Sequence, residues 1–176
     1  WAASMPRWEQ RVNKVLGVEE FVFRHAKATT GHTWLMQSEQ NLAMAVYLRH
    51  IANGAEIKVD VTSTPAKAAA ARGHQLMERK IGQLNFACLD CHSPGKGALK
   101  WIRGQWLGES KGQIPHFPTW RTSRLEIWDI RKRFQWCGVA IRANDLPPDA
   151  KEYGELELYL TSLNNGLKFN VPGIRH

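Results

Sequence analysis

Apolar positions recur at helical spacing in four stretches of the chain, and the polar residues between them supply starts and stops. From Ser38 to Ile51 the apolar positions are Leu42, Val46, Leu48 and Ile51, and Asn53-Gly54 is a helix stop. Val59 and Val61 then alternate with polar residues between Ile57 and Pro65, which predicts an extended connector. Thr64-Pro65 has the form of a helix cap followed by a first-turn proline, opening an alanine-rich helix from Ala66 to about Lys80. A third helix places Leu125, Trp128, Ile130 and Phe134 at buried positions and runs toward Cys137. After the loop Asn144-Asp145-Leu146-Pro147-Pro148, a fourth runs from Asp149 to about Leu163, with Tyr153, Leu156, Tyr159, Leu160 and Leu163 on one face and Asn165-Gly166 as its stop. Between Cys88 and about Trp120 the pattern fails. Glycines at 95, 97, 104, 108 and 112 and prolines at 94, 115 and 118 predict mostly loop there.

Composition narrows the class without naming it. At 176 residues there is room for one full domain and something smaller. Hydrophobic residues at 43% and charged residues at 23% argue against wholesale disorder. Eight tryptophans suit packing around something large and planar as well as an ordinary core. A net charge of +8 points to anionic partners, but no helix-turn-helix, zinc-finger pair or aromatic-glycine RNA signature accompanies it, so nucleic acid is not expected. The cations are unevenly placed. Arg121, Arg124, Arg131, Lys132, Arg133 and Arg142 face only Glu126 and Asp129 over that stretch, which suits a local anion site. Apolar runs such as Leu42 to Leu48 are too short to span a membrane. The chain opens with no basic-then-apolar leader, so any export signal is expected to have been removed.

The chemistry concentrates in Cys88-Leu89-Asp90-Cys91-His92. Two thiols about one helical turn apart reach the two vinyl groups of a haem, and the adjacent imidazole reaches the iron. Zinc would need four nitrogen or sulfur ligands, and no second Cys or His pair at similar spacing is present. A thioredoxin-type dithiol would need a βαβ setting. One covalent haem c on Cys88 and Cys91 with His92 as proximal ligand is the expectation. It carries a periplasmic location with it, because the thioether bonds are made there or in an equivalent compartment.

An electron-transfer cytochrome c usually supplies a downstream methionine to the iron, and this chain has none after Met77. The candidates for the distal position are Cys137, His116, His176 or a lysine. Cys137 could equally be a buried apolar residue. Arg131, Lys132, Arg133 and Arg142 surround it in sequence, and cations near a thiol favour the reactive thiolate. The same run could instead be a solvated helix face. His116, between Pro115 and Pro118, is placed to ligate iron, to line the haem edge or to hydrogen-bond backbone.

From about residue 42 onward the chain resembles the SoxA family. The resemblance rests on Gly82-Gln83-Leu84-Asn85-Phe86-Ala87 leading into Cys88–His92, Phe117-Pro118-Thr119-Trp120-Arg121, Arg131-Lys132-Arg133-Phe134-Gln135-Trp136-Cys137, Tyr153-Gly154-Glu155-Leu156-Glu157-Leu158-Tyr159-Leu160, and Asn165-Gly166-Leu167. It implies a mainly α fold, with a class I cytochrome c-like domain over 65–176, a connector over 58–64, and a reduced helical N-terminal region over 1–57 in a single-haem, short variant. It further implies an L-cysteine S-thiosulfotransferase, transferring thiosulfate oxidatively to a cysteine of the SoxYZ carrier, with a SoxX-type cytochrome subunit as partner. In that family pattern Cys137 is both the distal iron ligand and the catalytic cysteine, as thiolate or persulfide, and Arg133 binds the sulfur anion. A mono-haem electron carrier, with His116 opposite His92, is the alternative.

Overall fold

The computed structural model describes residues 1–102 and 105–175; Gly104 and the ligand candidate His176 lie outside the described residues. A hairpin of β1 (Arg7–Glu9) and β2 (Lys14–Leu16), paired Arg7 to Leu16, leads into helix α1 (Val18–Thr30). Helix α2 (Glu39–His50) starts at Ser38, whose hydroxyl accepts the Asn41 N–H. Together these enclose Met5, Leu16, Val18, Val22 and Ala45. On α2 the sequence pattern is only half right. Leu42 is buried, but Ile51 is 62% exposed. The buried stripe is Leu42, Ala45 and Arg49, and the Arg49 guanidinium donates to the carbonyls of Ala2 at 2.8 Å and Met5 at 3.1 Å. A cation goes inside because buried carbonyls need donors, a demand that hydrophobic periodicity does not register.

The extended segment after α2 buries Ile57 and Val59 and hydrogen-bonds to the chain's far end, Ile57 N–H to the Leu167 carbonyl and Val59 N–H to Asn165 Oδ1, both at 2.9 Å. Helix α3 (Thr64–Glu78) carries proline in its first turn and buries a stripe of small residues, Ala66, Ala69 and Gly73, ending at Met77. That stripe lets α3 cross tightly over helix α6 (Lys151–Ser162): a methyl group on Gly73 would lie 2.2 Å from the Glu155 carbonyl oxygen. Helix α6 is buried on more than the one face its pattern predicts. Tyr153, Leu156 and Leu160 are inside as expected, Leu163 is 38% exposed, and Leu158 enters a core with Val15, Ile57, Ala66, Ala69, Phe169 and Val171.

The segment expected to be mostly loop contains short elements. They are α4 (Cys88–His92), a hairpin of β3 (Lys100–Ile102) and β4 (Gln105–Leu107), a 3-10 turn at Ile114–His116, and β5 (Thr119–Arg121). Strand β5 lies between an antiparallel β6 (Glu126–Trp128) and a parallel β7 (Gly173–Arg175). The third predicted helix starts later than its pattern suggests. Leu125 is 77% exposed in the β5–β6 turn at φ 56, and Trp128, 3% exposed, belongs to β6. Helix α5 (Ile130–Ala140) begins only after Asp129, whose carboxylate accepts the Lys132 N–H at 2.6 Å and so fixes the start.

A buried ion network holds α5 in place. Arg131 is 1% exposed; its Nε donates to Glu157 on α6 and its Nη1 to Glu20 on α1, each at 2.8 Å, and Nη1 also donates to the Pro148 carbonyl. Lys14 and Arg24 complete the charge balance around Glu20. The architecture is mainly α, with six helices among the described residues and small sheets at its margins.

Candidate functional site

Cys88, Cys91 and His92 lie on the single turn α4, begun by the Ala87 N–H donating to the Asp90 carboxylate at 2.9 Å. His92 is half-buried, and its Nδ1 is 3.1 Å from the Gly108 carbonyl. That contact assigns a proton to Nδ1 and leaves Nε2 as the nitrogen available to the site. Glycine-rich chain after α4 thus orients the imidazole.

Across from His92 the fold brings Cys137 on α5, far away in sequence, into hydrogen-bonding contact with the imidazole. Burial alone would push the Cys137 thiol up. The hydrogen bond from His92 and the charges of Arg133, His92 and Arg121 together outweigh burial, and the net direction is down. His92 moves the other way. Burial pulls it down, but the Cys137 sulfur and the Gly108 carbonyl hold it above the ordinary imidazole value. Both shifts come from the same contact, in which the charged form of each group favours the charged form of the other. Cys88 is pushed to about 11, by burial first and then by the Cys137 charge, and Cys91 rises for the same reasons.

The cations around Cys137 do not act as one group. Arg131 is committed to Glu20 and Glu157, Lys132 to Glu126 at 2.6 Å, and Arg142 is on the surface. Arg133, one turn before Cys137, bears on its sulfur, and so does Arg121 from β5. Arg121 is 7% exposed, stacked over Trp128 at 5.3 Å, and pulled down to about 10, by burial first and then by Arg133 and Arg175. Sequence reasoning counted Arg121 among the basic residues and within Thr119-Trp120-Arg121, without giving it a role. Its sheet partners were the missing information.

The residues fit a covalent haem. Two thiols, an oriented imidazole and an opposed sulfur converge next to an apolar cluster of Met77, Ile114, Ile130, Leu156 and Leu160, against which Cys88, Leu89, Phe117 and Phe134 pack. Among the described residues no group of three or more His, Cys, Asp or Glu is placed to hold a metal ion by itself. His116 is elsewhere: its Nδ1 is 3.2 Å from the Asn170 carbonyl, and its Cβ packs where Gly173 has no side chain.

No family model matches the chain. It is similar to the L-cysteine S-thiosulfotransferase subunit SoxA of Chlorobaculum thiosulfatiphilum, 30% identical over 97% of this chain and 59% of that protein. The subunit of the same name from Allochromatium vinosum is 30% identical over 97% of this chain and 60% of its own length. A crystal structure of SoxXA from P. pantotrophus superposes with a TM-score of 0.87 at 27% identity, covering 99% of this chain and 65% of that one. The chain therefore spans about three-fifths of the length of the curated relatives it matches.

Proposed function

We propose that the chain is a member of the SoxA family, to whose subunits it is similar over almost its whole length, and that it is the haem-bearing thiosulfate-conjugating subunit of a periplasmic sulfur-oxidising system. Cys88 and Cys91 would hold one haem c as thioethers within residues 65–176, His92 and Cys137 would bind its iron, and Arg133 would bind the sulfur anion. The partners are a SoxX-type cytochrome and the SoxYZ carrier. When bound, the haem supplies an outlet for electrons. No described helix is long and apolar enough to cross a membrane, which is compatible with this setting.

The observation that carries the reading is the opposition of His92 and Cys137 with Arg133 one turn away. Cys137 provides sulfur as thiolate, or carried as a persulfide, and its lowered pKa favours the thiolate. Arg133 pairs with sulfonate oxygens and turns the terminal sulfur of thiosulfate toward Cys137. An S–S bond forms between those two sulfurs as two electrons leave. The carrier thiolate then attacks the sulfur next to the sulfonate, the new S–S bond breaks, and Cys137 departs as thiolate. Overall, one carrier thiol and one thiosulfate become one carrier S-thiosulfonate, one proton and two electrons.

Electron paramagnetic resonance of the haem-loaded protein beside Cys137→Ala tests this, together with conjugation of thiosulfate to a carrier thiol. A low-spin, thiolate-type signal lost in the variant along with conjugation is expected. If Cys137→Ala leaves both unchanged while His116→Ala abolishes the low-spin signal, the chain is an electron carrier instead.

A further inference from the structure

Arg121 is in an electrostatic situation that the described residues do not resolve. Its side chain is more than nine-tenths buried, and its Nε is sealed from solvent with no hydrogen-bond partner. Among the described residues no carboxylate pairs with it. The acid opposite it in register, Glu126 on β6, is taken by Lys132. The parallel register with β7 sets Arg175 directly beside it, and among the described residues the Arg175 guanidinium donates to the Gln113 side chain at 3.5 Å and its neighbour's carbonyl at 2.8 Å. Adjacent like charges on paired strands and an unpartnered buried N–H both cost stability. The Trp128 ring under the guanidinium, 5.3 Å away, offsets a little of that cost. Arg121 also bears on the same sulfur as Arg133 does. A buried Nε–H with no acceptor among the described residues, on a cation that bears on the Cys137 sulfur, is a donor left over for an oxygen acceptor.

Resting on the function proposed above, we propose that Arg121 is a second oxyanion-binding residue of the site, gripping with Arg133 the oxygen-bearing end of the sulfur anion. Arg175 adds a third positive charge. With two forks and that added charge, the site selects divalent tetrahedral oxyanions over monovalent planar ones, because each additional paired N–H···O contact is charge-assisted and desolvated.

The test uses the haem-loaded Cys137→Ala chain titrated calorimetrically with sulfate, an inert divalent oxyanion, and with nitrate. The parent is expected to bind sulfate in preference to nitrate, and Arg121→Gln in that background to weaken sulfate roughly 10- to 100-fold while nitrate changes little. Arg121→Lys should fall between them, retaining charge without the fork. Relief of the repulsion with Arg175 should leave the melting temperature of Arg121→Gln no lower than the parent's; if that variant does not fold, Arg121→Lys decides, and unchanged sulfate affinity there overturns the proposal. Absence of sulfate binding by the parent overturns it as well. So does an Arg121→Gln variant with sulfate affinity within twofold of the parent and a shifted haem reduction potential, which would assign Arg121 to a haem propionate. Thiosulfate conjugation with Cys137 intact separates this inference from its premise. Arg121-dependent sulfate binding without conjugation sinks the thiosulfotransferase reading alone, and conjugation with an unchanged KM in Arg121→Gln sinks the Arg121 assignment alone.

Discussion

Replacing Arg131 by methionine tests what positions the Cys137 helix. Methionine approximates the volume of the side chain and removes its charge. Of the two carboxylates Arg131 serves, Glu20 keeps Lys14 and Arg24, each at 2.8 Å, and loses little. Glu157 is 2% exposed and keeps no cation within ion-pair distance among the described residues, while Glu19 and Asp129, both buried acids, are close enough to feel its charge. The cost is therefore that of one stranded buried carboxylate, about 3–5 kcal/mol. For a chain of this size that would lower a urea midpoint by about 1–2 M. The measurement is urea unfolding of the haem-loaded protein followed by far-ultraviolet circular dichroism. Adding Glu157→Met to Arg131→Met should recover most of the loss, since a buried pair replaced by apolar residues of similar volume is close to neutral. If Arg131→Met costs under about 1 kcal/mol, or the double variant is as unstable as the sum of the singles, the stranded-charge argument is wrong.

Two further outcomes follow from the packing. Gly73→Val should lose about 2–3 kcal/mol or more in the same unfolding experiment, because a Cβ at Gly73 meets the Glu155 backbone where α3 crosses α6; a loss below about 0.5 kcal/mol would mean that the helices are free to separate. Glu19 is pushed from 4.5 to about 7, by burial first and then by the charges of Glu157 and Asp129. Between those values the native carboxyl holds a proton that the unfolded chain has released, so this group makes stability fall as pH rises from about 4.5 to 7. Glu19→Gln should reduce the fall in urea midpoint between pH 5 and pH 8, and an unchanged fall would show that Glu19 is not the group responsible.

Local structure was legible in the chain itself. The first-turn proline of α3, the Ser38 start of α2 and most of the apolar face of α6 depend on residues within a turn or two of one another, and their spacing carries them. The fold decided everything that depends on partners distant in sequence. It buried Arg49 instead of Ile51, because the carbonyls of Ala2 and Met5 arrive from the N terminus. It ended the β5–β6 turn before starting α5, leaving Leu125 outside. From one basic run it sent Arg131 to Glu20 and Glu157, gave Lys132 to Glu126, and left Arg133 to act on Cys137. Position in sequence gives an arginine its charge but not its counter-ion. Long-range packing and strand register choose the counter-ion, and they set Arg121 beside Arg175 with no acid paired to either among the described residues.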